Sequence, residues 1–360
     1  MPRWIIALFV VLGVAACSQR PDFDVLNPVD PGDAETEIVR VYVATTRARN
    51  LETGEWNGSP DYVVRHMYYD VSVPENRADG EINFPSDFPD LTNEYAVVGQ
   101  GDLDADTFFR AVKTAKAQSK TQEVGVFVHG YNARFQEAVF RLAQLSADAG
   151  EGGVPILFTW PSAGKPLEYI GDRQAALFSR DALADLMDEL TDQTGQTMVF
   201  AHSMGSFLTM EALRTLRLEN DAATLDQLNI IMAAPDIDPF VFAQQMQTVG
   251  QMREPLILLV SPQDRALGLS AQISGGRDRL GRLAVDDPTI ATAPWFDQVV
   301  VIDITAVNAD PMGHSRFINV ASLYSDLQGN DTGRPDLSTG TAFVFNQFGG
   351  GALRQVVFGQ

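Results

Sequence analysis

Cysteine is almost missing from this chain: Cys17 is its only one, in 360 residues that also hold only four histidines. A lone thiol excludes an internal disulfide framework, and without clustered Cys and His the usual zinc sets have no ligands, so no metal or organic cofactor is expected. Positive charge is scarce as well, with 26 Lys and Arg against 47 Asp and Glu and a formal charge of −21. Neutralising phosphates takes basic residues gathered on one face, which excludes nucleic acid as a partner. Anionic headgroups would repel the same surface. Beyond Ala16 no apolar run has the length that a bilayer span requires.

What is present begins at the first residue. Met1 to Arg3 is a short positive start, and Trp4 to Gly13 is an apolar run of signal-peptide length. Val14, Ala15 and Ala16 then lead to Cys17, the form of a lipobox, in which cleavage before the cysteine precedes its acylation. The sequence therefore predicts a signal peptide over 1–16 and a lipid on Cys17, which would be the only membrane attachment. The plainer alternative is an ordinary signal peptide with an incidental cysteine. Ser18 stands where an aspartate would favour inner-membrane retention, which points to the outer membrane, facing the periplasm of a Gram-negative bacterium. Residues 17–37, rich in Pro, Asp and Asn, read as a disordered tether. A single domain is expected over 38–330, and residues 331–360 form an extension without a clear pattern.

Within the domain, Ile38 to Ala44, Met67 to Val73 and, more weakly, Tyr95 to Val98 read as early antiparallel strands. Phe108 to Ala117 reads as a helix. From Val124 the pattern becomes short apolar runs separated by amphipathic stretches, which is how a parallel sheet covered on both faces reads. The runs are Val124 to Val128, Ile156 to Thr159, Met198 to Ala201, Leu228 to Ala233, Leu256 to Val260 and Val299 to Asp303. Helices are expected at Phe135 to Ala147, Arg173 to Leu190 and Ser206 to Leu218.

Ala201, His202, Ser203, Met204 and Gly205 lie where a core strand gives way to a helical pattern. A tight strand-turn-helix elbow would push the Ser203 hydroxyl beyond the sheet edge, and small residues two before and two after let the chain close. Gly205 fits that pattern directly, and Ala201 replaces a glycine. The competing reading is a serine that only caps the helix. After the first core strand come His129, Gly130, Tyr131 and Asn132. Backbone N–H groups here and after the serine, those of Tyr131 and Met204, would receive the negative charge of an attacked carbonyl. His129 reads as a buried histidine that shapes the loop, although it also competes as a second base.

Among the histidines, His66 lies in the early strands and His202 beside the serine. His314 follows the last core strand through a short loop, the place where open α/β sheets carry their chemistry. The acid should fall between serine and histidine. Asp264, after Leu256 to Val260, is favoured because that strand precedes the histidine loop. Asp236, after Leu228 to Ala233, is the alternate.

Val41 to Arg47 (VYVATTR), Val128 to Asn132 (VHGYN), Phe158 to Ser162 (FTWPS), Ala201 to Gly205 (AHSMG), Ala233 to Asp238 (AAPDID), Ser261 to Leu267 (SPQDRAL) and His314 to Phe317 (HSRF) together resemble the bacterial α/β-hydrolase group catalogued as domain of unknown function 900. The resemblance implies the α/β-hydrolase fold and a Ser, Asp, His triad on Ser203, Asp264 and His314, and it names no substrate. Trp160 and Tyr169 look like positions bordering a pocket together with His129, Gly130 and Asn132. Asp172 either joins them or caps a helix starting near Arg173. The expected chemistry is carboxyl-ester hydrolysis of a small-molecule or lipid ester through an acyl-enzyme. Its rivals are a peptidase, thioesterase or acyltransferase with the same triad, and a non-catalytic envelope protein that has kept the fold.

Overall fold

Runs of β-branched and aromatic residues make the strands of this chain, since such side chains pack well on a pleated surface buried from both sides. The computed structural model describes residues 20–32, 34–150, 153–285, 287 and 295–320. Cys17, the signal peptide and the 331–360 extension lie outside them. First come β1 (Glu37–Arg49), β2 (Trp56–Val73), β3 (Ala96–Leu103), α1 (Ala105–Gln118), β4 (Val124–Val128), α2 (Phe135–Asp148) and β5 (Val154–Thr159). Then follow α3 (Tyr169–Phe178), α4 (Arg180–Thr194), β6 (Thr197–His202), α5 (Met204–Leu218), α6 (Ala222–Leu225) and β7 (Leu228–Ala233). The last are α7 (Pro239–Val249), β8 (Leu256–Val260), α8 (Arg265–Ile273) and β9 (Val299–Asp303).

Among the described residues these strands form one sheet in the order β3-β2-β1-β5-β4-β6-β7-β8-β9. β1 with β2 and β2 with β3 pair antiparallel. Every pairing from β1–β5 to β8–β9 is parallel. This is the α/β-hydrolase architecture, with antiparallel strands at its N-terminal side. Alternate residues of each central strand serve opposite cores: Val126, Val128, Ile156 and Phe158 pack with α1, α3, α4, α5 and α7 on one face. Phe127 and Leu157 face α2 on the other. That double burial is why the strands read as unbroken apolar runs.

The expected helix from Arg173 to Leu190 is two helices. Ser179 interrupts it at φ −89°, ψ 1°, and its hydroxyl donates to the Ala175 carbonyl at 2.9 Å and meets Thr46 Oγ1 at 2.8 Å. A hydroxyl that satisfies the preceding turn competes with continuing the helix. The tether expected over 17–37 is also corrected, because from Arg20 onward it docks on the domain. Phe23–Leu26 forms a 3-10 turn that buries Leu26 within the α2-side core, Phe23 packs against Phe135, and Val29 N donates to Val97 O at 2.8 Å. Its polar composition hid two apolar side chains with a ready surface to cover them.

Candidate active site

Parallel strands put their C-terminal ends, and the loops leaving them, along one edge of the sheet. Ser203 stands at that edge between β6 and α5 with φ 54° and ψ −116°. This conformation costs an L residue about 1–3 kcal/mol and persists only where surroundings enforce it. Here the Ser203 N–H donates to Ala233 O at 2.9 Å, while its carbonyl accepts from Ser206 N at 3.0 Å and Asp236 N at 3.2 Å. The hydroxyl does not cap α5, and among the described residues it has no hydrogen-bond partner. Ser203 keeps 4 % of its surface exposed, and its hydroxyl is not among the sealed, unpartnered polar atoms. The elbow closes because neighbouring positions lack side-chain atoms. A Cβ on Gly205 would lie 2.4 Å from Val128 O and 2.5 Å from His129 O, and one on Gly130 would lie 3.1 Å from Ser203 Cβ.

His314 Nδ1 lies 2.7 Å from Asp264 Oδ2. The carboxylate can only accept, so Nδ1 carries the proton and Nε2 is left as the acceptor. Asp264 is 1 % exposed at its side chain and His314 21 %, so the pair is buried at its base and open at its tip. Asp264 also begins α8, its Oδ1 accepting from Leu267 N at 2.9 Å, which fixes the carboxylate from both sides. The histidine loop is held by Arg265 N on Met312 O at 2.9 Å and by His314 N on Asp310 Oδ1 at 2.9 Å. Arg316 further pins the loop through the Gly313 and Thr305 carbonyls. The His314 ring sits 4.6 Å from the ring of His202, next to Ser203 in the chain. Thus Asp264 and His314 are joined directly, and the His314 ring rests against the residue that precedes Ser203.

Asp236 lies elsewhere. Its carboxylate accepts from Tyr169 at 2.9 Å and from Ser270 at 2.6 Å, and it faces Arg279 at 3.1 Å, with Asp236 and Arg279 nearly inaccessible. It is a buried ion pair that braces the elbow from behind, through its own N–H on Ser203 O.

Of the two expected N–H donors, Met204 N begins α5 and Tyr131 N lies in the turn after β4; among the described residues neither finds an acceptor. Tyr131 donates its hydroxyl to Pro166 O, and its ring meets Tyr169 at 5.4 Å. Asn132 takes φ 60° and is gripped by Arg20, which donates to its Oδ1 at 2.9 Å and its carbonyl at 2.7 Å. His129 and Trp160, expected beside a pocket, are buried in the interior. Their rings stack at 5.0 Å, Trp160 Nε1 donates to His129 O, and His129 Nδ1 donates to Gly130 O at 2.9 Å. Burial, with Arg47 beside it, pushes the His129 pKa down to about 3. His129 is therefore a neutral loop former and not a base. His202 is likewise held well below the usual range, by burial first and by His314 second.

Asp172 does not cap a helix at Arg173: it lies inside the first turn of α3, and its carboxylate accepts from Ser162 Oγ, from Ala163 N at 2.7 Å and from Asn132 N at 3.2 Å. It ties the loop after β5 to the loop after β4. Sequence reasoning missed Arg47, 1 % exposed, whose guanidinium donates to Thr159 Oγ1 at 2.9 Å, Ser162 O at 2.8 Å and Ala133 O at 2.9 Å. An arginine closing the VYVATTR motif was the available signal. Among the described residues no set of three or more His, Cys, Asp and Glu side chains gathers to hold a metal.

The family model described as "Alpha/beta hydrolase of unknown function (DUF900)" matches residues 105–331. An uncharacterised protein of Nostoc sp., alr1448, is 38% identical over 74 residues, which is 20% of this chain and 19% of that protein. The crystal structure of Aspergillus fumigatus lipase B superposes with a TM-score of 0.36 at 12% identity, over 63% of this chain and 58% of that one.

Proposed function

The chain belongs to the α/β hydrolases of unknown function grouped as DUF900, and on that premise we propose that it is a serine carboxyl-ester hydrolase working through Ser203, His314 and Asp264. Ser203 Oγ attacks the ester carbonyl while His314 Nε2 takes its proton, and Asp264 holds the imidazole and stabilises the imidazolium. The N–H groups of Tyr131 and Met204, the latter at the positive end of α5, receive the oxyanion. His314 then protonates the departing alcohol, and a water it activates releases the acid from Ser203.

The observation that carries this reading is the elbow: φ 54°, ψ −116° at Ser203, with a hydroxyl that does not cap its helix. A serine kept only as an N-cap would sit in extended backbone and accept from the helix N–H groups. A fluorophosphonate probe should label the wild type and not Ser203→Ala, and His314→Ala should lower p-nitrophenyl butyrate turnover about a thousandfold or more. Wild-type protein that resists the probe would remove the serine from the chemistry.

Acylation of Cys17 and an outer-membrane location complete the proposal, supported by the VAAC sequence before residue 18. One acyl chain binds a bilayer only marginally, and several hold firmly. Cys17→Ala should move the protein into the soluble periplasmic fraction; unchanged membrane retention would overturn the anchor.

A further inference from the structure

Large apolar side chains are exposed unevenly on this molecule. Among the described residues Leu51, Tyr62, Phe88, Leu167, Ile170 and Phe240 each show more than two thirds of their surface. Phe88, in the β2–β3 connection, stands at the N-terminal edge of the parallel strands. The other five stand at or beyond the C-terminal edge, where Ser203 lies. Leu51 is in the β1–β2 hairpin and Tyr62 on the half of β2 that overhangs the sheet; Leu167 and Ile170 follow β5, and Phe240 begins α7. Single exposed apolar residues are ordinary, and less exposed ones such as Ile38, Met198 and Leu218 lie at the opposite edge, but five of the six most exposed share the edge that carries the candidate site.

The second observation concerns the chain start. Arg20 is fastened to the rim itself: besides Asn132, it donates to Gly164 O at 2.8 Å and Glu137 Oε1 at 2.6 Å. Gly164 opens the segment that leads to Leu167, and the Tyr131 hydroxyl rests on Pro166 O within it. Cys17 precedes Arg20 by three positions, a stretch of chain that reaches at most about 11 Å. A lipid on Cys17 could not hold the protein at arm's length; it would bring the bilayer to the loop that carries the Tyr131 N–H.

Resting on the reading under Proposed function, we propose that this rim docks on the lipid surface and that the substrate is an acyl ester of a lipid resident in the same bilayer. The anchor sets the orientation, and Leu167 and Ile170 enter the interface beside the mouth of the site. The lipid ester then passes from the membrane to Ser203 without crossing water. The formal charge of −21 over the whole chain favours zwitterionic over anionic headgroups.

The test uses the full-length acylated protein, extracted from membranes and reconstituted in vesicles of equal parts dioleoylphosphatidylethanolamine and dioleoylphosphatidylcholine. Acylation consumes the Cys17 thiol, so Leu167→Cys or Phe88→Cys supplies the only free one for an NBD fluorophore. Spin-labelled lipid should quench the label at 167 and leave that at 88 bright. Quenching at neither site, as expected if the rim receives a protein, or equal quenching at both would overturn the docking face. Leu167→Asp with Ile170→Asp should lower fatty-acid release from the vesicles about tenfold or more, and p-nitrophenyl butyrate turnover by no more than about twofold. Equal losses on both substrates, or no release from vesicles by an enzyme that cleaves the soluble ester, would overturn the lipid substrate. Loss of fluorophosphonate labelling and of both turnovers in the wild type, with quenching at 167 intact, would instead sink the hydrolase reading and its substrate while the docking face stands.

Discussion

Two aspartates that leave neighbouring strand ends have separate fates, decided by one partner each. Asp264 meets the His314 imidazole, and Asp236 meets the Arg279 guanidinium. Asp264→Asn should keep the α8 cap, because an amide oxygen can still accept from Leu267 N, yet it should hold the wrong imidazole tautomer. Turnover should then fall about a thousandfold or more with little change in the urea midpoint. Asp236→Asn leaves a buried guanidinium without its counter-charge, which should destabilise by about 3 kcal/mol. Equal unfolding midpoints for the two variants would contradict this division. Ser203 and His314 could be found in the sequence because histidines are few and the elbow has a compact pattern. Between the aspartates the strand order favours Asp264, which does meet His314, whereas the guanidinium that claims Asp236 comes from a distant part of the chain and leaves no local signal. The roles of Arg47 and Asp172 were hidden because each joins loops remote in sequence.

At the level of elements, the nucleophile depends on how closely α5 approaches the end of β4. Gly205→Ala places a Cβ against two backbone carbonyls, Val128 O in the strand paired with β6 and His129 O, which accepts from Trp160 Nε1. It should destabilise by about 3 kcal/mol or more, at the upper end of overpacking, and thermal unfolding would register it; an unchanged melting temperature would mean that the elbow is looser than described. The central strands were legible because burial on both faces writes them as apolar runs. β2 was only half legible: its first half overhangs the sheet, pairs with β1 through irregular register and carries a mixed, exposed pattern including Pro60. The helices α7 and α8 were not among the expected elements, although Asp238 before Pro239 and Asp264 cap them with carboxylates that take free N–H groups of the first turn. The break at Ser179 had no readable signal, because Thr46, which helps to make it, comes from the far N-terminal strand.

Taken whole, the molecule hides neutral histidines that an unfolded chain would protonate. His129 is pushed down to about 3 and His202 well below its usual value, whereas both would titrate near the ordinary histidine pKa of about 6.5 once unfolded. Between those values the unfolded state binds protons that the folded state refuses. Stability is therefore full above about pH 6.5 and falls with acidification, by about 1.4 kcal/mol per pH unit for each such histidine. Urea midpoints taken from neutral pH down to about 4.5 should decline accordingly, and His129→Gln should make the decline shallower; a flat profile would show these rings protonated in the fold.

β1 lies hydrogen-bonded along β5, from Tyr42 opposite Ile156 to Thr45 opposite Thr159. The family model itself matches only from residue 105. A fragment cut there would bare the long flank of β5, with its amide donors and carbonyl acceptors open to any passing chain, and would lose the guanidinium that stitches the two loops beneath the serine. Such a fragment would be a seed for clumping and not a minimal enzyme. The packed core extends upstream of residue 105 and takes in Leu26, docked under α2.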